Sequence, residues 1–138
     1  MSELNKFKVI IIYNYYDAYF AMKAASKLKK NIYISSPPNA ASYIGPLFFK
    51  KLLKKVKQLF PNVNYHEILD CGNDRGLALE AIHYGIKNIE IKCNENALKK
   101  IKNICKKQGV GINNTSRKKL DLKNIEDVYS ECIKWLSN

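Results

Sequence analysis

Arginine is nearly absent from this sequence. Of 24 basic residues only Arg75 and Arg117 carry a guanidinium, and the rest are lysine. Recognition of anions by paired guanidinium forks therefore has little to work with. Histidine is scarce too, with only His66 and His83, and the four cysteines (Cys71, Cys93, Cys105, Cys132) include no CxxC pair. No Cys and His combination has zinc-finger spacing, so no metal ligand set is assigned. A chain of this size needs no covalent staples, and the cysteines are read as reduced thiols of a cytoplasmic protein. Six glycines and four prolines, with no biased tract beyond lysine, argue against disorder. The longest early apolar run, "VIIIY", is far too short to span a bilayer, and no small-residue cleavage site follows it.

What is present fits one domain of 138 residues, 46% of them apolar. The formal net charge of +12 suggests a nucleic acid or another anionic partner. Lysine abundance accompanied by 15 Asn and 16 Ile is also what an AT-rich coding sequence produces, so charge alone does not name the partner.

Apolar, β-branched runs recur at 8–13, 31–35, 65–70, 88–92 and 110–113, separated by stretches of helical periodicity. The spacing predicts five βα units. Strands apolar on both sides require cover on both faces, which predicts an α/β fold: a single doubly wound five-stranded parallel sheet between two helical layers, Rossmann-like, with the flavodoxin-like order 2-1-3-4-5. Asn94 is expected to cap the helix of "ENALKKIKNICKKQ", Gly109 to stop it, and a last helix to run from a cap at Asp121 or Asn124, burying Leu122 and Ile125 along with later apolar residues.

In such a sheet ligands bind beyond the strand C-termini where the strand order reverses, here expected between the first and third strands. The candidate ligand-binding residues are Asn14 and Asp17 after strand one, and Asp70, Gly72, Asn73, Asp74, Arg75 and Gly76 after strand three. Ser35 and Ser36 lie farther out, as do Lys92, Asn113 and Asn114. Asp17, Asp70 and Asp74 form either a carboxylate cluster able to hold Mg2+ or do acid and base work, or a set of turn and helix caps. Arg75 is either an anion clamp or the partner of a neighbouring Asp. Cys71, before a helix start, sits where a helix dipole lowers a thiol pKa. "SSPPNAASYIGPLFF" is either a loop over the site or a tightly packed lead-in to a helix.

The stretch "ILDCGNDRGLALEAIHYGIKNIEIKCNENALKKIKNICKKQGV", about 43 residues, resembles the first cofactor-binding segment of class I S-adenosylmethionine methyltransferases. That resemblance implies a turn with three glycines at alternate positions, which here read Gly72, Asp74 and Gly76, and an acidic ribose-binding residue where this chain has Lys92. With both positions changed, Asp74 is expected to cap the following helix. Nearly the whole chain, through "SSPPNAASYIG", "LDCGNDRGLALEAIHYG" and "LDL", is similar to a group of small single-domain bacterial proteins. That similarity implies an architecture and no chemistry. The turn matches neither GxxxxGK[ST] nor GxGxxG.

"LFFKKLLKKVKQLF" is amphipathic, with Lys50, Lys51, Lys54 and Lys55 opposite its apolar side, and a second basic cluster gathers Lys99, Lys106, Lys107, Lys118 and Lys119. These are the candidate nucleic-acid-binding residues. The expected function is binding of a small molecule or protein partner without catalysis. The alternatives are a small transferase or hydrolase at the strand ends, and a lysine-rich nucleic-acid-binding module. Apolar strand edges and nine tyrosines leave room for a homodimer.

Overall fold

The computed structural model describes residues 7–113 and 118–138. In chain order the elements are β1 (Lys8–Ile11), α1 (Tyr15–Leu28), β2 (Ile32–Ser35), a short 3-10 turn (Ala40–Ser42), α2 (Pro46–Lys57), β3 (Tyr65–Asp70), α3 (Arg75–His83), β4 (Asn88–Glu90), α4 (Glu95–Gln108), β5 (Gly111–Ile112), β6 (Lys119–Asp121) and α5 (Val128–Ser137). The helix starts follow the side chains that satisfy their free N–H groups: Asn14, Asp74, Asn94 and Asp127 each accept a bond from the first turn of α1, α3, α4 and α5.

All strand pairs are parallel, but the order is β5-β4-β3-β2-β1-β6. This corrects the expected five strands in the order 2-1-3-4-5. The sixth strand, Lys119–Asp121, comes from residues expected to lead into the last helix. That helix starts seven residues after Asp121, at Val128 with Asp127 as cap, while Leu122 is buried ahead of it.

The order also removes the second helical layer. From β1 to β5 the chain steps in one direction, so right-handed crossovers put every intervening helix on the same face. Ile10, Ile34, Leu69 and Ile89 point to that face and join one large core with residues of the helices. The helices pack as neighbours in the order α5, α1, α2, α3, α4. Val9, Tyr33 and Ile68, facing the other way, are fully buried in a separate small cluster whose further member is Phe7.

The strands hide that second face by curling around it. Four strand spacings separate β4 from β6, about 19 Å in a flat sheet and farther than a lysine and a glutamate can reach toward each other. Lys119 Nζ on β6 nevertheless lies 2.5 Å from Glu90 Oε1 on β4. The sheet is therefore a half-closed trough with helices outside.

Candidate functional site

In a curled parallel sheet the strand C-termini converge on one mouth, the place where loops can surround a ligand while the strands stay rigid. At this mouth Asp70 and Glu90 are register partners on β3 and β4 and point into the trough side by side. Asp70 Oδ1 accepts hydrogen bonds from the backbone N–H of Gly72 at 2.8 Å and of Asn39 at 3.1 Å. Glu90 is 2% exposed, and its carboxyl pKa is raised, first by burial and also by Asp70, against the lowering pull of Lys119. A pocket of about 170 Å³, lined by Pro38, Asn39, Asp70, Gly72, Glu90, Ile91 and Lys92, opens here. That volume equals about six water molecules.

The loop geometry has a local cause. Gly72 has φ +61°, and a Cβ on it would come 2.4 Å from Asn39 Oδ1. The positive φ favours glycine in this turn, and any larger residue would also have to displace the Asn39 side chain. Ser36 ties the same two strands: its hydroxyl accepts from the Asp70 N–H at 2.9 Å and donates to the Pro37 carbonyl.

The trough brings together only part of the expected site. β2 lies between β1 and β3, so Asn14 and Asp17 are not beside Asp70, and the order reverses at β1 rather than between β1 and β3. Asn14 caps α1, and Asp17 is buried, accepting from the Tyr13 N–H at 2.8 Å, with its pKa raised by burial. Ser35 and Ser36 are buried and bonded to neighbouring carbonyls. Asp74 caps α3 through the Leu77 N–H at 3.1 Å, as its position beside Arg75 and Gly76 suggested. Asn73, Arg75 and Gly76 are exposed, and Arg75 forms no ion pair among the described residues. Asn114 and Arg117 lie outside the described residues.

Cys71 is fully buried, and its thiol pKa is pushed up to about 12 by desolvation first and then by Asp70 and Asp74. This reverses the expected dipole activation, because burial and two carboxylates disfavour a thiolate more than a helix start favours it. His66 stacks on Phe7 inside the trough, with ring centroids 5.6 Å apart, and burial lowers its pKa. His83 is exposed on α3.

Sequence reasoning missed Glu90, Asn39 and Lys119 as members of this region. Glu90 and Lys119 sit in short strands whose inward side is set by pairing. An inward-pointing charge on an otherwise apolar strand was the available signal.

The basic candidates divide as well. Lys51, Lys54, Lys55, Lys99, Lys106, Lys107 and Lys118 are exposed. Lys50 donates to the Gly85 carbonyl, tying α2 to the turn before β4. Lys119 is the inward partner of Glu90, so it is not part of a basic surface, because a trough wall needs its charge neutralised.

No family model matches this chain. Nor does any curated protein show significant similarity to it. Among the described residues, no helix is long and apolar enough to cross a membrane, and the four cysteines are free thiols.

Proposed function

We propose that this protein binds a small polar ligand at the trough mouth and performs no catalysis of its own. The observation that carries this reading is the Asp70 and Glu90 pair, held side by side at rigid strand ends and opening on a pocket with Asn39 and Lys92. Two carboxyls and a lysine suit a compact molecule bearing hydroxyl or amino donors, with an acceptor for Lys92. The absence of catalysis is supported by the state of the neighbouring reactive groups. The Cys71 thiol is buried with its pKa raised, and neither histidine reaches the mouth. The methyltransferase-like turn contributes its Gly72 backbone to this pocket, while Asp74 serves as a helix cap.

The test is a thermal-shift screen of small polyols, amino sugars, nucleosides and S-adenosylmethionine on the intact protein. A ligand at 100 times its dissociation constant adds about 2.7 kcal/mol, several degrees in a domain of this size. The shift is expected to vanish in Lys92→Ala, whose exposed side chain lies outside the core. Turnover of the bound compound would replace this reading with the enzymatic one.

A second reading, nucleic-acid binding, is favoured by one observation. α2 and α4 flank α3 in a single helical layer, and both carry exposed lysines. It predicts affinity for RNA or DNA that falls steeply with salt as counterions are released. Paired Lys→Glu changes at Lys54 and Lys106 would then weaken binding. Salt-insensitive or undetectable binding would remove this reading.

A further inference from the structure

A second cavity, sharing no lining residue with the polar pocket, lies between the starts of α1 and α2 on the outer side of the β1 and β2 ends. Its volume is about 280 Å³, and Ile12, Tyr13, Tyr15, Phe48, Phe49 and Leu52 form most of its wall. Large apolar side chains around it face water: Tyr16 is 70%, Tyr43 65% and Phe48 63% exposed. Phe48 sits off the stripe of Phe49, Leu53 and Val56 by which α2 joins the core, so packing of the fold does not account for it. Tyr16 makes an edge contact with the Tyr15 ring, and Tyr43 precedes Ile44, itself part of the wall.

The charge around this mouth is divided between its two ends. Lys55 Nζ lies 5.7 Å from the Tyr15 ring centroid, and Lys51 falls between Phe48 and Lys55 on the same helical face. The first turn of α2 holds no acidic residue. Two carboxylates lie at the opposite end, both on Tyr13: Asp17 accepts from the Tyr13 N–H and Asp121 from the Tyr13 hydroxyl at 2.7 Å, so the positive end of the cavity is the one bounded by Tyr15 and Phe48. An apolar cavity of about 150 Å³ holds a single benzene ring, so this one has room for two fused rings.

From this geometry we infer that the cavity is a binding site for an aromatic monoanion, with fused rings seated among Tyr13, Tyr15, Phe48 and Leu52 and a carboxylate directed at Lys55. Aromatic walls favour a flat occupant, and the lysines select its charge.

The probe is 2-naphthoate, titrated calorimetrically into the whole protein, with 2-naphthylmethylammonium as the isosteric cation. Binding at one site is expected with a dissociation constant of about 100 μM, ordinary efficiency for a ligand of this size. The cation is expected to bind at least about ten-fold more weakly, and Lys55→Glu to weaken naphthoate about ten-fold. Leu52→Trp, which fills the cavity, should abolish binding, and Phe48→Ser at an exposed position gives the same reading if the tryptophan variant fails to fold. Equal affinity for anion and cation, unchanged binding in Phe48→Ser, or no binding at millimolar naphthoate would overturn the assignment. So would sedimentation showing a dimer that Phe48→Ser converts to monomer, since a second copy would then occupy the patch.

Discussion

The two faces of the sheet are built from the same strands and differ in almost every other respect. The outward face is mostly aliphatic: Ile10, Ile34, Leu69 and Ile89 meet the helices and are fully buried, and its one buried carboxylate among the described residues, Glu67 beside Ile34, accepts from the Lys87 N–H at 3.1 Å. The inward face mixes Val9, Tyr33 and Ile68 with Ser35, His66, Asp70, Glu90 and Lys119. Burial on the outer face comes from a helical layer, on the inner face from curvature that brings β4 near β6 together with Phe7, which packs against Tyr33 and His66. Each face hides a carboxylate, but by different means: Glu67 under the helices is held by a backbone N–H, whereas Glu90 in the trough is held by a lysine from a distant strand. The polar pocket lies where the inner face reaches the mouth.

The largest expected effect tests the outer face. Leu69→Ala removes a fully buried side chain and should cost about 2 to 5 kcal/mol in urea unfolding. A loss below about 1 kcal/mol would mean that the helices repack freely over the sheet. Next comes closure of the trough. Lys119→Met alone leaves Glu90 buried and unpaired and should cost about 3 kcal/mol, while the double variant Lys119→Met with Glu90→Leu should recover most of it. Additive losses in that cycle would show that β4 and β6 are not coupled. Asp74→Ala should cost about 1 kcal/mol through loss of the α3 cap and leave ligand binding unchanged.

The smallest effect is pH-dependent. Burial lowers the folded-state pKa of His66 below its ordinary 6.5, so the unfolded chain binds a proton first as pH falls. His66 thus contributes stability that is full above pH 6.5 and lost below it, down to the folded pKa. Asp17, Glu67 and Glu90 have raised pKa values and act with the opposite sign, gaining stability as pH falls from their folded values toward the ordinary carboxylate range. In His66→Phe, unfolding midpoints measured from pH 7 to 5.5 should decline less than in the parent protein.

Much of the local plan was legible. The five strand runs begin at or next to the observed ones, the Asn94 cap and Gly109 stop hold, and Asp74 caps its helix, because these features depend on residues within one turn of each other. Strand six was not legible: "KLD" is too short to show alternation, and Leu122 and Ile125 continue the spacing of the helix beyond. The residues gathered at the trough mouth overlap the expected set only in part. Asp70 and Gly72 line the pocket there, but Glu90 was hidden inside a strand of three residues and Asp17 was drawn in by a strand order that the molecule does not adopt.

Periodicity, caps and turn glycines by themselves determined that this chain makes parallel βα units, because those signals act over a few residues of backbone. The strand order, the single helical layer and the meeting of Asp70, Glu90 and Lys119 were decided only by tertiary structure. Each depends on which strand edge accepts the next strand, a choice made by contacts between residues far apart in the chain, and on a curvature that develops only when all the strands are paired.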